Sequence, residues 1–446
     1  MKMRCFSHTF ASDLKKPLAL MALCLFMPSL ANAQSGTNSP YSQYGLGTLA
    51  DRATGFNRGM NGLGYGFHDG GQVNYSNPAS YAYVDSLTFI FDMGLSGQMT
   101  NFSENGTKRN ANNADFEYAV ASFRLRKHLG ASFGIVPVTN VGYDYSATEY
   151  VNGRKSVTYT NTYSGSGGLH QVYVGLGWAP FKGFSVGVNG GYLWGSIDRS
   201  VVNSYSDQNV NTLSKYYSAE VHSYTVQGGL QYTQKLSKTD DLTFGLTYSL
   251  GHKIGGKPTC RVISNNPQTS VADTTEYGGN SLKLEIPTEL GAGFLYNHEN
   301  KLRFGFDYTL TKWSDCSFPV YKSLSETEAA YVMTDDYFKD RHKFTVGVDY
   351  NPESMSRRFL KRLHYRAGAS YATPYMKING KDGPKELSVS AGLGIPLVNK
   401  WNNRSSLNLS FQWVHNSADK MITENMFRVN IGITFNERWF AKWKVE

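Results

Sequence analysis

Residues 427–436 read Phe427-Arg428-Val429-Asn430-Ile431-Gly432-Ile433-Thr434-Phe435-Asn436. Every second side chain is apolar, and those between are polar, charged or glycine. Successive side chains of a β-strand point to opposite faces, so this stretch is a strand with one oily and one wet face. The same period of two runs back along the chain. Leu407, Leu409, Phe411 and Trp413 form one oily face, and Leu387, Val389, Leu393 and Ile395 another. Leu302, Phe304, Phe306, Tyr308 and Leu310 repeat the pattern, as do Val172, Val174, Leu176 and Trp178, and, nearest the start, Leu87, Phe89, Phe91, Met93 and Leu95. A soluble sandwich also alternates, but its oily faces pack on one another. So many similar faces in one chain need a common apolar partner. Hydrocarbon is that partner, and a closed barrel leaves no unpaired strand edge in it.

The connections alternate short and long. Arg126–Gly130, Pro180–Gly183, Leu236–Asp241, Asn297–Lys301, Pro352–Arg362 and Val398–Arg404 are the short ones. Glu104–Ala114, Val151–Gly167, Asn203–Lys215, Cys260–Asn280, Phe318–Phe338, Tyr375–Lys385 and Asn416–Asn425 are the long ones. Short periplasmic turns and longer outer loops mark bacterial barrels. The expectation is an all-β, transmembrane, antiparallel up-and-down barrel of about fourteen strands over residues 87–436. Residues 115–126 switch phase in mid-strand, which predicts a bulge. Pro137 stands inside a strand pattern, where a residue without an N–H marks a bend or broken pairing. Residues 323–335 are expected to form a helix in an outer loop, with Ser323 or Ser325 as N-cap.

Composition agrees. Of 446 residues, 18% are charged and 14% aromatic, with 45 Gly and 30 Tyr, and mean hydropathy is −0.40, which excludes a bundle of transmembrane helices. Lys2, Arg4, Lys15 and Lys16 precede the apolar run Leu18–Leu30 and the small-x-small triplet Ala31-Asn32-Ala33. This predicts a signal peptide over residues 1–33, cleaved after Ala33. Cleavage would lower the formal charge from +9 to about +6. The cations are dispersed and not interleaved with stacking aromatics, so nucleic acid is not an expected partner. Cys260 and Cys316 fit no metal motif; in an oxidising compartment they either pair as a disulfide between outer loops or remain two thiols. No cofactor is expected.

Catalysis is not expected either. Gly130-Ala131-Ser132-Phe133-Gly134 and Gly183-Phe184-Ser185-Val186-Gly187 match GxSxG, but both serines lie in alternating strands and not on a strand-to-helix elbow. Gly62-Leu63-Gly64-Tyr65-Gly66 has no helix after it to carry a nucleotide phosphate. His170, His222, His342 and His364 are isolated and read as lumen or girdle residues.

Residues 34–86 are rich in Gly, Asn and Tyr and lack alternation, so they are expected to form an N-terminal hatch inside the lumen, with residues 437–446 as a periplasmic tail. Asn77-Pro78-Ala79 resembles the motif in the hatch of the FadL-type long-chain fatty-acid transporters of the outer membrane. Pro137 ahead of Asn140-Val141-Gly142-Tyr143 resembles that family's bent third strand, and Glu285-Ile286-Pro287-Thr288 its Pro-led strand start. Ser39-Pro40-Tyr41-Ser42-Gln43-Tyr44-Gly45-Leu46-Gly47 and Asn436-Glu437-Arg438-Trp439-Phe440 resemble the Bacteroidota branch. The resemblance implies passive uptake of a hydrophobic or amphipathic small molecule, with lateral exit to outer-membrane lipid at Pro137. Phe318, Val320, Tyr321, Leu324, Tyr331 and Val332 are candidates for an outer-loop groove. The alternative is a non-transporting barrel subunit that binds other outer-membrane proteins in a larger assembly or secretion complex, and the basic, aromatic tail Arg438–Lys444 suits it.

Overall fold

The computed structural model describes residues 36–151, 154–279, 281–325, 328–397 and 405–437. The signal peptide and all but the first residue of the C-terminal tail lie outside these. Fourteen antiparallel strands follow one another round a ring. They are β1 (Phe89–Glu104), β2 (Thr107–Arg126), β3 (Leu129–Val151), β4 (Arg154–Phe181), β5 (Phe184–Tyr205), β6 (Thr212–Lys235), β7 (Asp240–Ser249), β8 (Thr288–His298), β9 (Leu302–Lys312), β10 (Arg341–Tyr350), β11 (His364–Ala372), β12 (Lys385–Pro396), β13 (Ser406–Ser417) and β14 (Thr423–Glu437). The ring closes where β14 pairs with β1, from Phe89↔Glu437 to Ser103↔Thr423.

The period of two is realised as expected. Val172, Val174, Leu176 and Trp178 are exposed on the outer face of β4, as are Phe427, Val429 and Ile431 on β14. On the opposite face Ser388, Ser390, Asn408, Ser410, Asn430 and Thr434 are buried. A surface that is apolar outside and polar within suits lipid outside and a hydrogen-bonded filling. Tyr192 bonds His222 (2.9 Å), Tyr308 bonds His342 (2.8 Å), and His170 packs near Trp194. These three histidines belong to the outward aromatic girdle, whereas His364 faces inward onto Asp349 at 3.0 Å.

Strands β7 to β11 have 9–11 residues, about what a tilted strand needs to cross a bilayer. Strands β3 to β6 have 22–28, so they overshoot on the long-loop side. Part of what reads as outer loop is therefore strand. Residues 104–114 are not a loop: β1 and β2 meet at a turn through Asn105 and Gly106, and the polar residues Lys108–Asn113 continue the ladder. Residues 259–265 and 272–278 form a hairpin that pairs with the outer part of β6. The helix expected at 323–335 is not there. Residues 318–323 and 329–334 form a β-hairpin with Val320 opposite Val332, because β-branched and aromatic side chains on both arms favour an extended pair.

The phase switch in β2 is a bulge. Tyr118 faces Gly94 and Phe116 faces Leu95, leaving Glu117 unmatched. Glu117 thereby turns inward, where Arg58 donates to it at 2.7 Å.

Residues 36–85 lie against the inner wall. They contain two short 3-10 turns, Pro40–Gln43 and Pro78–Tyr83, and one helical turn, Gly55–Arg58. Their polar contacts circle the ring. Asp307 on β9 accepts from the Gly64 and Tyr65 amides at 2.7 and 3.0 Å. Asn61 donates to Ser370 on β11 and to the Ser388 carbonyl on β12. Gln231 on β6 donates to the Tyr65 carbonyl at 2.9 Å, and Arg303 on β9 pairs with Asp69 at 3.0 Å.

The closest approaches use glycine. A Cβ on Gly177 would lie 2.6 Å from the Pro78 carbonyl oxygen, one on Gly368 2.5 Å from the Met60 carbonyl carbon, and one on Gly432 2.7 Å from the Gly55 Cα. Gly187 and Gly245 would clash with Pro78 and Tyr65 in the same way. These glycines come from β4, β5, β7, β11 and β14, so wall and filling meet backbone to backbone round most of the ring.

Candidate functional site

The wall forks between β2 and β3. The β2–β3 ladder runs from Arg126↔Leu129 to Ala119↔Ile135 and stops there. Two residues further along β3, Pro137 offers no N–H to continue a ladder. On its other side β3 stays paired with β4, but Pro137↔His170 is followed by Thr139↔Leu169, so Val138 is bulged out. Beyond this point β2 pairs with β1 alone among the described strands.

An arm of residues 36–50 fills the fork. Thr48 and Leu49 lie opposite Asn140 and Thr139 as an added strand. The Ala50 amide donates to the Val138 carbonyl at 3.0 Å. The Ser42 hydroxyl donates to the Gly142 carbonyl (3.2 Å) and accepts from the Gly142 amide (3.1 Å). On the other bank, Gln98 donates to the Gly36 carbonyl at 3.0 Å, and Asn38 meets Asn113. Gly47, at φ 99°, passes where a Cβ would be 2.5 Å from the Asn140 carbonyl oxygen, so no larger residue fits this crossing.

Behind the arm is a cavity of about 200 Å³. Leu46, Leu49, Val136, Pro137, Val138, Leu169, Leu193, Ile286 and Trp313 supply its apolar lining. Asp51, Arg52, Glu289, Arg341 and Lys343 supply a charged part. Those charges are mutually paired: Arg52 with Glu289 at 2.7 Å, Asp51 with Lys343 and with Arg428 at 3.3 Å each, and Arg341 with Glu386 at 3.2 Å. A second cavity of about 110 Å³ also touches Leu49, Ala50, Asp51 and Arg341, and its lining mixes Ser39, Asp115, Glu117 and Glu424 with Tyr41, Met376, Val414 and Met426. Residues 49–51 thus stand between two chambers of mixed lining.

Asn77-Pro78-Ala79 fastens the filling to the wall. The Asn77 amide group uses both ends. Its oxygen caps the following turn by accepting from the Ala79 N–H at 3.1 Å. Its nitrogen donates to the Tyr65 carbonyl at 2.8 Å and to the Leu230 carbonyl on β6 at 3.1 Å. Asn77→Asp keeps the cap but turns both donors into an acceptor facing carbonyls. It is expected to loosen this segment by about 1–3 kcal/mol, seen as faster proteolysis within residues 60–85 of an otherwise intact barrel.

The other candidates are dispersed. Phe318 is buried between Tyr337 (4.6 Å) and Phe338 (5.6 Å). With Tyr331 it borders a pocket of only about 30 Å³. Val320 and Tyr321 are half-buried, with Tyr321 beside Tyr277, while Leu324 and Val332 are exposed. Cys260 and Cys316 are both free thiols in this structure. Each thiol is buried in its own element, Cys260 in the strand beside β6 and Cys316 after the turn Trp313–Asp315. Ser132 and Ser185 are mid-strand, and Ser132 donates to the Ala121 carbonyl at 2.8 Å. Among the described residues no group of three or more His, Cys, Asp or Glu is placed to hold a metal.

Sequence reading missed the arm as a wall element and the charged part of the cavity. The arm's signal was Gly45 and Gly47 in a short Tyr- and Ser-rich stretch; the charges were scattered over residues 51–52, β8 and β10 with no local signal.

A family model described as BamG matches residues 14–446. No curated protein matches. Among solved structures, the Pseudomonas putida toluene transporter TodX is similar at TM-score 0.59 and 14% identity, covering 89% of this chain and 99% of that one. The Ralstonia pickettii toluene transporter TbuX is similar at TM-score 0.57 and 12% identity, covering 87% and 98%. A Pseudomonas aeruginosa FadL homologue is similar at TM-score 0.57 and 12% identity, covering 88% and 98%. At these identities the likeness is one of fold.

Proposed function

We propose a function from one premise: this chain belongs to the BamG family. The barrel sits in the outer membrane after removal of residues 1–33, and passes small hydrophobic or amphipathic molecules passively through its fork. Residues 34–86 are the plug that closes the lumen, so the path runs sideways: cavity, arm, lipid. The observation that carries this reading is the partly apolar cavity directly behind the stretch of wall that β2 leaves at Pro137 and only the arm covers. A hydrophobic solute leaving there enters hydrocarbon without crossing the polar filling below. The cavity suits a small solute, since about 150 Å³ of apolar space accommodates benzene. The shared fold of the two toluene transporters agrees with that size.

Val138→Trp, which fills the cavity from the bulge, tests it. The flux of a small apolar tracer into vesicles carrying the variant is expected to fall to that of protein-free vesicles, with the barrel still folded. Flux equal to the unaltered protein would contradict the proposal.

A second reading, a barrel that docks other proteins, is favoured by the overshooting sheet of β3 to β6 and its added hairpin 259–278. That surface has no use in lateral exit. Mass spectrometry after mild-detergent extraction separates the two: a lipid-like ligand supports the first, a stoichiometric protein subunit the second.

A further inference from the structure

The turn between β10 and β11 differs from the other described short turns. It runs Pro352-Glu353-Ser354-Met355-Ser356-Arg357-Arg358-Phe359-Leu360-Lys361-Arg362 and contains one helical turn, Phe359–Arg362. Met355, Phe359 and Leu360 are 84%, 52% and 66% exposed. Four cations stand among them, and Glu353, paired with Lys361 at 3.7 Å, is the turn's single acid. A polar turn in water has no reason to display three large apolar side chains in six residues.

Its placement gives the reason. Tyr350 and Tyr365, the residues that bound the turn on β10 and β11, both lie on the outward, lipid-facing side, 47% and 36% exposed. The Tyr365 hydroxyl donates to the Leu360 carbonyl at 3.0 Å, which draws the helical turn onto that outer face and not beneath the lumen. On the inner side Asn351 donates to the Arg362 carbonyl at 3.1 Å and holds the base of the turn. The apolar side chains thus continue the oily band of the barrel downward, with the cations at its rim.

We propose that residues 352–362 are an interfacial foot that binds the anionic phospholipid headgroups of the inner leaflet. Met355, Phe359 and Leu360 enter the boundary between headgroups and acyl chains, while Arg357, Arg358 and Lys361 meet the phosphates. Charge complementarity selects this occupant: the turn carries net positive charge, and its apolar part is contiguous with surface already facing lipid.

The test uses the full chain reconstituted in bilayers of phosphatidylcholine with or without phosphatidylglycerol. In Leu360→Trp, the added fluorescence is expected to be quenched by brominated acyl chains and shielded from aqueous iodide. In Arg357→Glu with Arg358→Glu, phosphatidylglycerol co-purifying with the barrel is expected to fall about fivefold for each cation reversed. Because these side chains are exposed, the barrel should still fold, as heat-modifiable gel mobility will report. Three results would each overturn the proposal: quenching by iodide but not by brominated chains, lipid retention indifferent to charge reversal, or a photo-crosslink from position 355 to a protein partner in place of lipid.

Discussion

Joining Leu49→Cys to Thr139→Cys by a disulfide is expected to reduce tracer flux to the level of protein-free vesicles, and reduction is expected to restore it. The two residues are direct partners in the antiparallel pair of arm and β3. Such partners lie about 4.5–5.5 Å apart at Cα, within the span a disulfide bridges. The bonds nearest the fork are the Ala50 amide to Val138, the Thr48 hydroxyl to the Asn140 carbonyl and the Ser42 pair with Gly142, and Tyr41, Gln43 and Gly47 are tied further along. Each is worth about 0.5–1.5 kcal/mol net, so opening requires those around residue 49 to yield together. A covalent tie at 49–139 prevents this. The native thiols do not interfere, being buried elsewhere. The measurement is vesicle uptake, oxidised against reduced. Equal flux in the two states would show that the arm is not the gate, whatever the ligand.

The second large effect concerns the proposed plug. Gly187→Ala combined with Gly245→Ala is expected to convert a closed barrel into a conducting one. In each case the new methyl group meets backbone of residues 36–85, at Pro78 and Tyr65, which cannot swing aside as a side chain would. Overpacking of this kind costs about 1–3 kcal/mol per site, while the strand ladders of the wall are untouched. Single-channel conductance in planar bilayers reads the outcome. Gly228→Ala is the control, because nothing lies within 4 Å of a Cβ there. A double variant as silent as the control would mean that these contacts do not hold the lumen shut.

The barrel was legible because lipid enforces a strict rule. An outward position must be apolar, so Phe427 to Phe435 announces its own geometry, and the alternating connection lengths supplied the strand number. The bulge in β2 and the break at Pro137 were legible for the same reason: each violates the period or removes a donor. What was not legible lies where that rule lapses. In the outer parts of β3 to β6 polar residues fall on both faces, so Thr158, Asn161 and Ser164 look like loop. The hairpin at 318–334 carries Glu326, Glu328 and small residues that suit a helix equally well, and cross-strand pairing decided against it. The glycines of the wall counted only as gaps in the polar face; their role exists solely in relation to Pro78, Tyr65 and Met60, far away in sequence. The ion pairs of the cavity join Asp51 to Lys343 and Arg428 across most of the chain length, a relation no local pattern contains.

The backbone-to-backbone fit between glycine wall and filling also couples the two to one another. Even a methyl group would meet Pro78 at Gly187 and Gly55 at Gly432, so neither partner keeps its native spacing against a displaced other. The ring is sealed where Phe89 meets Glu437, and Gly432 on that closing strand rests on Gly55. The seam of the ring and the seat of the N-terminal segment therefore share one geometry.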